Sequence, residues 1–269
     1  MALKLFNSIT DATPEDQGLV GISGSHGGVY PAGVASAVGL KAVVFKDAGI
    51  GFENAGVGGV FALDDVGMAA AALDCQTCLI GSAEDALECG VISVANEAAK
   101  VLGVEVGMTA RQAAELLEGA DQPAKRMSPP AEAQKIVQPE RGPIHLLDSA
   151  SVVSPALDGQ IIVTGSHGAL IGGDPRRALK ARAHAAVFSD AGFGKDRIGV
   201  TRLPALQEFG VAAVTASHTT CRIGDAVSVY ETGVISAANG AAEDIGARIG
   251  MSVKAFMLAS IISKRMKEM

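Results

Sequence analysis

Short apolar runs recur along the chain, each closed by glycine, serine or aspartate, and stretches of helical period separate them. In the second half PIHLLDS (143–149), GQIIVTGS (159–166), HAAVFSDAG (184–192) and VAAVTAS (211–217) read as four buried strands. DPRRALKAR (174–182) has an N-cap aspartate followed by proline, and RLPALQEFG (202–210) ends on glycine, so both predict helices. After Asp225, VSVYETGVISAANGAAEDIG predicts a helix of about five turns, with Gly233 and Gly240 as its weak points. SVKAFMLASIISKRMKEM predicts an amphipathic terminal helix whose late basic residues suit its C-terminal end. Strands alternating with helices predict an α/β architecture with a mainly parallel sheet.

The first half carries the same pattern in nearly the same words. LFNSIT (5–10) returns as LLDSAS (146–151), and GISGSHGG (21–28) as IVTGSHGA (162–169). VFKDAGIG (44–51) returns as VFSDAGFG (187–194), and LECGVISVAN (87–96) as YETGVISAAN (230–239). A two-residue insertion accounts for the change of register between the early and later matches. The expectation is an internal duplication: two similar, mainly parallel α/β lobes, residues 1–118 and 143–269, related by pseudo-twofold symmetry. Residues 119–142 are expected to be a linker, since 119–143 holds five prolines, mixed charge and little apolar periodicity. The segment SAEDALECGVISVANEAAKVLG predicts the first-half counterpart of the long helix, opened by Ser82 with Asp85.

Composition narrows the function classes. The formal net charge of −7 argues against a nucleic-acid surface, which needs a basic patch. A small anion remains compatible, because a few backbone N–H groups can hold one. No apolar run is long enough to span a bilayer and no secretion signal is read at the N-terminus, so a soluble cytoplasmic protein, compatible with homo-oligomers, is expected. The cysteines, Cys75, Cys78, Cys89 and Cys221, are then buried thiols, ligands or nucleophiles rather than disulfides.

What both halves retain marks the candidate site. Gly-Ser-His-Gly follows an apolar run in each, placing Ser25 and His26, and Ser166 and His167, at a strand's C-terminal end, where open α/β sheets bind ligands. Such a histidine can exchange protons near neutral pH; a tight turn capped by Ser and His is the alternative. Asp-Ala-Gly-x-Gly closes the next strand. Asp47 and Asp190 are expected to fix a histidine tautomer, hold a ligand amine or hydroxyl, or bind a cation, or else to build an Asx turn with positive-φ glycines. Lys46, opposite Ser189 in the other half, adds a charge there or is solvated. Asn7-Ser8 pairs with Asp148-Ser149, and Glu88, Ser93 and Asn96 with Glu231, Ser236 and Asn239; these read as caps and buried hydrogen bonds.

Cys75-x-x-Cys78 matches His218-x-x-Cys221, the ligand set of a zinc site if the lobes face each other; buried thiols are the alternative. No redox or nucleotide cofactor motif is present. The sequence therefore predicts a small-molecule enzyme with no predicted cofactor. Histidine and aspartate would do acid–base chemistry in a cleft between the repeats, hydrolysing a small polar carboxylate or amide, with glycine-loop N–H groups holding the anion. A cofactor-independent isomerase, racemase or lyase with one base per lobe is the second expectation. A non-catalytic binding or scaffold protein is the third. Differences between the halves beside the shared residues favour one asymmetric site.

Overall fold

The computed structural model describes residues 2–139 and 142–268. The chain forms two compact units. One comprises Met1–Ile50, Asn54–Ala131 and Phe193–Ile198, and the other Gly51–Glu53, Glu132–Gly192 and Gly199–Met269. A short loop of each half of the sequence therefore belongs to the unit built mainly from the other half.

In unit 1, strands β1 (Leu3–Phe6), β2 (Val20–His26), β3 (Ala42–Lys46), β4 (Ala69–Leu73) and β5 (Ile92–Ala95) lie in that order in one sheet. β1 to β4 are parallel and β5 closes the edge antiparallel. β3 and β4 are buried at every position, which is why they read as continuous apolar runs rather than alternating ones. Alternate side chains still divide between two cores. Val43, Phe45, Ala70 and Ala72 pack under α1 (Val29–Val38) and α2 (Gly58–Ala62). Ala42, Val44, Ala69 and Ala71 pack under α3 (Ala83–Cys89), α4 (Glu97–Val101) and α5 (Ala110–Leu117).

Unit 2 has β6 (Gln134–Val137), β7 (Ile144–Leu147), β8 (Ile161–His167), β9 (Ala185–Ser189), β10 (Ala212–Ala216) and β11 (Ile235–Ala238), ordered β11-β10-β9-β8-β7-β6. β7 to β10 are parallel and both edges antiparallel. α6 (Arg202–Glu208) covers one face. α7 (Ala226–Thr232), α8 (Gly240–Asp244) and α9 (Val253–Glu268) cover the other. Among the described residues no helix is long and apolar enough to cross a membrane.

Three expectations change. The long helices after Ser82 and Asp225 are each a helix, a strand and a second helix. The β-branched stretches Val91-Ile92 and Val234-Ile235 lead into β5 and β11, because a helical period cannot separate a short apolar strand from a helical turn. Residues 174–182 hold only a single short 3₁₀ turn, Pro175–Arg177. Most of the expected linker is laid down on the units: Gln122, Arg126 and Met127 bond to Gly39, Ala37 and Ser36 at 2.9–3.0 Å, and β6 pairs with β7. Its residues 140–141 lie outside those described.

Gly24 and Gly165 have one structural reason in common. The loop entering α3 crosses β2 so closely that Gly81 N–H donates to Gly24 O at 2.8 Å, and Gly224 N–H does the same to Gly165 O at 2.8 Å. A Cβ on Gly24 would lie 2.5 Å from Asn7 O and 2.8 Å from Gly81 C, all backbone. Gly24→Ala is expected to cost about 2–4 kcal/mol in urea unfolding. Gly67→Ala, with open space but a φ of +70°, should cost about 1 kcal/mol. Equal costs would contradict the close-approach explanation.

Candidate functional site

Parallel pairing places the C-terminal ends of β1 to β4 along one edge of unit 1, and those of β7 to β10 along one edge of unit 2. The strand order is consecutive, with no reversal and hence no switch-point crevice of the doubly wound kind. Whatever these edges do depends on the side chains placed there.

Much of the retained set closes the edge. Asn7 Oδ1 accepts the Ala83 N–H at 3.0 Å, and Asp148 Oδ1 the Ala226 N–H at 2.9 Å. Ser25 Oγ accepts from Ile9 N at 3.0 Å, and Ser166 Oγ from Ala150 N at 2.9 Å. His26 Nδ1 accepts the Gly28 N–H at 3.1 Å, and His167 Nδ1 the Ala169 N–H at 3.3 Å. Gly27 and Gly168 donate to Lys46 O and Ser189 O at 2.8 and 2.7 Å. These N–H groups are spent inside the protein and leave no anion cradle at the histidine turns. Asn96 and Asn239 are buried N-caps of α4 and α8, and their Oδ1 atoms also bind Ala70 N and Ala213 N.

Burial drives His26 down to about 4, so at neutral pH it is uncharged. With Nδ1 accepting, its proton is on Nε2, and the outward atom is a donor rather than a base.

The aspartate turns combine buried carboxylates with left-handed backbone. After β3 the chain runs through four consecutive left-handed residues, Ala48 (φ +50°), Gly49 (+74°), Ile50 (+61°) and Gly51 (+75°). After β9 it does so again through Ala191 (+48°), Gly192 (+77°), Phe193 (+61°) and Gly194 (+66°). Each non-glycine residue so placed costs roughly 1–2 kcal/mol, and strain of this kind gathers at functional sites. A buried carboxylate anchors each turn. Asp47 Oδ1 accepts from Gly49 N at 2.9 Å and from Cys75 N, at the end of β4, at 3.0 Å. Asp190 Oδ1 accepts from Gly192 N at 3.1 Å and from His218 N, beyond β10, at 2.9 Å. Each aspartate thus closes an Asx turn with positive-φ glycines, and in unit 2 it also meets a histidine, not the one of the Gly-Ser-His-Gly turn.

That partner is His218. Its Nδ1 lies 2.9 Å from Asp190 Oδ1, with Asp190 fully buried and the His218 side chain 23% exposed. Asp190 Oδ2 is buried with no hydrogen-bond partner among the described residues. Unit 1 has Cys75 in the place of His218. Burial, then the Asp47 charge, pushes that thiol up to about 12, so it stays protonated. In unit 1 no hydrogen bond links Asp47 to His26 among those described.

The exchanged loops finish each edge. In unit 2 Phe52 N–H donates to His218 O at 2.7 Å, and Arg222 bridges Glu53 at 2.5 Å and Asp225 at 2.8 Å. In unit 1 Lys195 N–H donates to Cys75 O at 2.8 Å, and its ammonium pairs with Asp85 at 2.8 Å. Asp85, with bonds to Lys195 and Leu79 N, is held below the usual carboxylate range despite its burial.

The expected zinc ligands are otherwise engaged. Cys78 Sγ accepts from Lys46 Nζ at 2.9 Å, and Cys221 donates to Ser217 O at 3.4 Å, its thiol pushed up to about 12 by burial. Among the described residues, the ligand-type side chains that gather within 4.8 Å are Asp47, Asp74 and Cys75. Lys46, expected to be solvated, is fully buried, and desolvation lowers its pKa against the opposing pull of Cys78. Neither the Lys46–Cys78 contact nor the Asp190–His218 pair was assembled from sequence. The mismatch of Cys75 with His218 beside two retained aspartates is the signal that marked the second.

Comparison with protein-family models, with curated proteins and with solved structures gives no match in any of the three.

His26 makes a measurable demand on pH. A lowered folded pKa means the native state takes up its proton later than the unfolded chain, so stability present above pH 6.5 is lost as pH falls toward 4. His26→Asn is expected to remove up to about 3 kcal/mol of that acid sensitivity in urea unfolding between these pH values. An unchanged slope would place the ring in a solvated, ordinary environment.

Proposed function

We propose that this chain is an enzyme that hydrolyses a small polar amide by acid–base catalysis at the strand ends of unit 2, with His218 as the base. The observation carrying this reading is the 2.9 Å contact between buried Asp190 and part-exposed His218. An ionised carboxylate only accepts, so the Nδ1–H of His218 points at Asp190 and the lone pair of Nε2 faces outward. Nε2 takes a proton from water as the water oxygen bonds to the amide carbon. It then returns that proton to the departing nitrogen as the C–N bond breaks, giving a carboxylic acid and an amine. Asp190 stabilises the imidazolium formed in between. His167, paired in register with Ser189 beside Asp190, brings a second imidazole to the same edge.

The inequality of the units supports one catalytic edge over two equal binding turns. Asp190 faces an imidazole, while Asp47 faces a thiol that stays neutral. An internal duplication followed by divergence at this position accounts for both the shared turns and the difference. The matching strand orders, β1-β2-β3-β4-β5 and β7-β8-β9-β10-β11, support that origin.

The test is release of ammonia or amine from a panel of primary amides of short carboxylic acids and N-acyl amino acids. Turnover by the intact protein should fall by about 10²–10⁴-fold in Asp190→Asn and in His218→Gln. Turnover surviving in both variants, with folding confirmed by circular dichroism, would remove His218 from the chemistry.

A further inference from the structure

Unit 1 contains a buried nitrogen–sulfur pair with no counterpart in unit 2. Lys46 is the last residue of β3 and Cys78 belongs to the loop between β4 and α3. Both are fully buried, and Nζ lies 2.9 Å from Sγ. Among the described residues Lys46 Nζ donates to Cys78 Sγ, and the thiol also lies 3.7 Å from Asp74 O. In unit 2 the lysine position is Ser189, whose Oγ accepts from Ala191 N at 3.2 Å, and Cys221 donates to Ser217 O at 3.4 Å. Cys78 is held against the Lys46 nitrogen by a close-packed core that allows little rearrangement.

We propose that Lys46 and Cys78 form an oxidation site, in which a peroxide links them covalently through a single oxygen atom. One hydrogen peroxide converts the Cys78 thiol to a sulfenic acid, S–OH, and leaves as water. The Lys46 amine then bonds through nitrogen to that oxygen while a second peroxide accepts two electrons. One hydrogen from nitrogen and one from the S–OH depart, and two waters form. The sum is amine plus thiol plus two peroxides giving N–O–S plus three waters; nitrogen and sulfur are each oxidised by two electrons. The nitrogen must be unprotonated to react, and the buried position of Lys46 favours the neutral amine. An inserted oxygen suits the 2.9 Å separation, since a direct S–N bond would require the two atoms to close by more than the packing around them accommodates. Four thiol equivalents, supplied by two dithiothreitol molecules, cleave both the O–S and the N–O bond, release the oxygen as water and restore both side chains. The link would tie the end of β3 to the loop carrying Asp74 and Cys75, and would remove a buried cation near Asp85.

The experiment uses the full chain with Cys89→Ser, which removes the exposed thiol. Peroxide treatment of the folded protein is expected to add about 14 Da, one oxygen in and two hydrogens out, reversed by dithiothreitol. In the treated sample trypsin should fail to cut after Lys46, and Cys78 should resist alkylation in denaturant. Lys46→Met and Cys78→Ala should not gain this mass, nor should the parent chain unfolded in guanidinium before peroxide, a control that needs no folded variant. Gains of one, two or three oxygens on Cys78 with Lys46 still cleavable would overturn the proposal. So would a loss of two hydrogens, from a direct S–N bond or from a Cys75–Cys78 disulfide.

Discussion

One buried carboxylate at the end of the third parallel strand organises each edge. Asp47 and Asp190 each use a single oxygen to hold the N–H of the glycine two residues on and the N–H of the residue that ends the next strand's exit. Two neighbouring strand ends are thereby tied together and the chain between them is held in a left-handed turn that alanine, isoleucine and phenylalanine would not adopt alone. A carboxylate out of water needs donors, and the turn supplies them. The carboxylate and the strained turn therefore depend on each other. The exchanged loops Gly51–Glu53 and Phe193–Ile198 follow directly from these turns.

The two units use this device differently. In unit 1 the carboxylate meets a protonated thiol, and the charge balance nearby is set by Lys46, Asp85 and Lys195. In unit 2 it meets an imidazole, and its second oxygen has no partner among the described residues. A buried acceptor left unpaired costs about 1–3 kcal/mol. Strain in the turn adds to that cost. Keeping both at one strand end, beside a part-exposed histidine, is the pattern expected where a site is shaped by chemistry rather than by stability alone.

The sheets were legible because buried parallel strands leave apolar runs such as VVF and AAV that turn residues punctuate. The edge strands were not: Val91-Ile92 and Val234-Ile235 fit a helical period as well as a strand, and only the pairing with β4 and β10 decides. The retained polar residues pointed to the right edge of each sheet, yet their roles divide. Ser25, Ser166, Asn7 and Asp148 accept backbone N–H groups, as their types favour. Asp190 meets a histidine, but that partner follows the fourth parallel strand rather than sitting in the Gly-Ser-His-Gly turn. Which of three histidines an aspartate meets depends on strand register, and register is not written in local sequence. Lys46 misled for a related reason: a lone lysine reads as solvated unless its buried partner, Cys78, is known to lie across the sheet.

The hydrogen position on the His218 ring tests the central claim most directly. Long-range proton–nitrogen NMR on the histidine-labelled protein at pH 8, assigned with His218→Gln, reports which ring nitrogen carries the proton. The account predicts the proton on Nδ1, directed at Asp190, with Nε2 bare, and Asp190→Asn should lose that preference. A ring protonated on Nε2 in the parent protein, unchanged by Asp190→Asn, would contradict it.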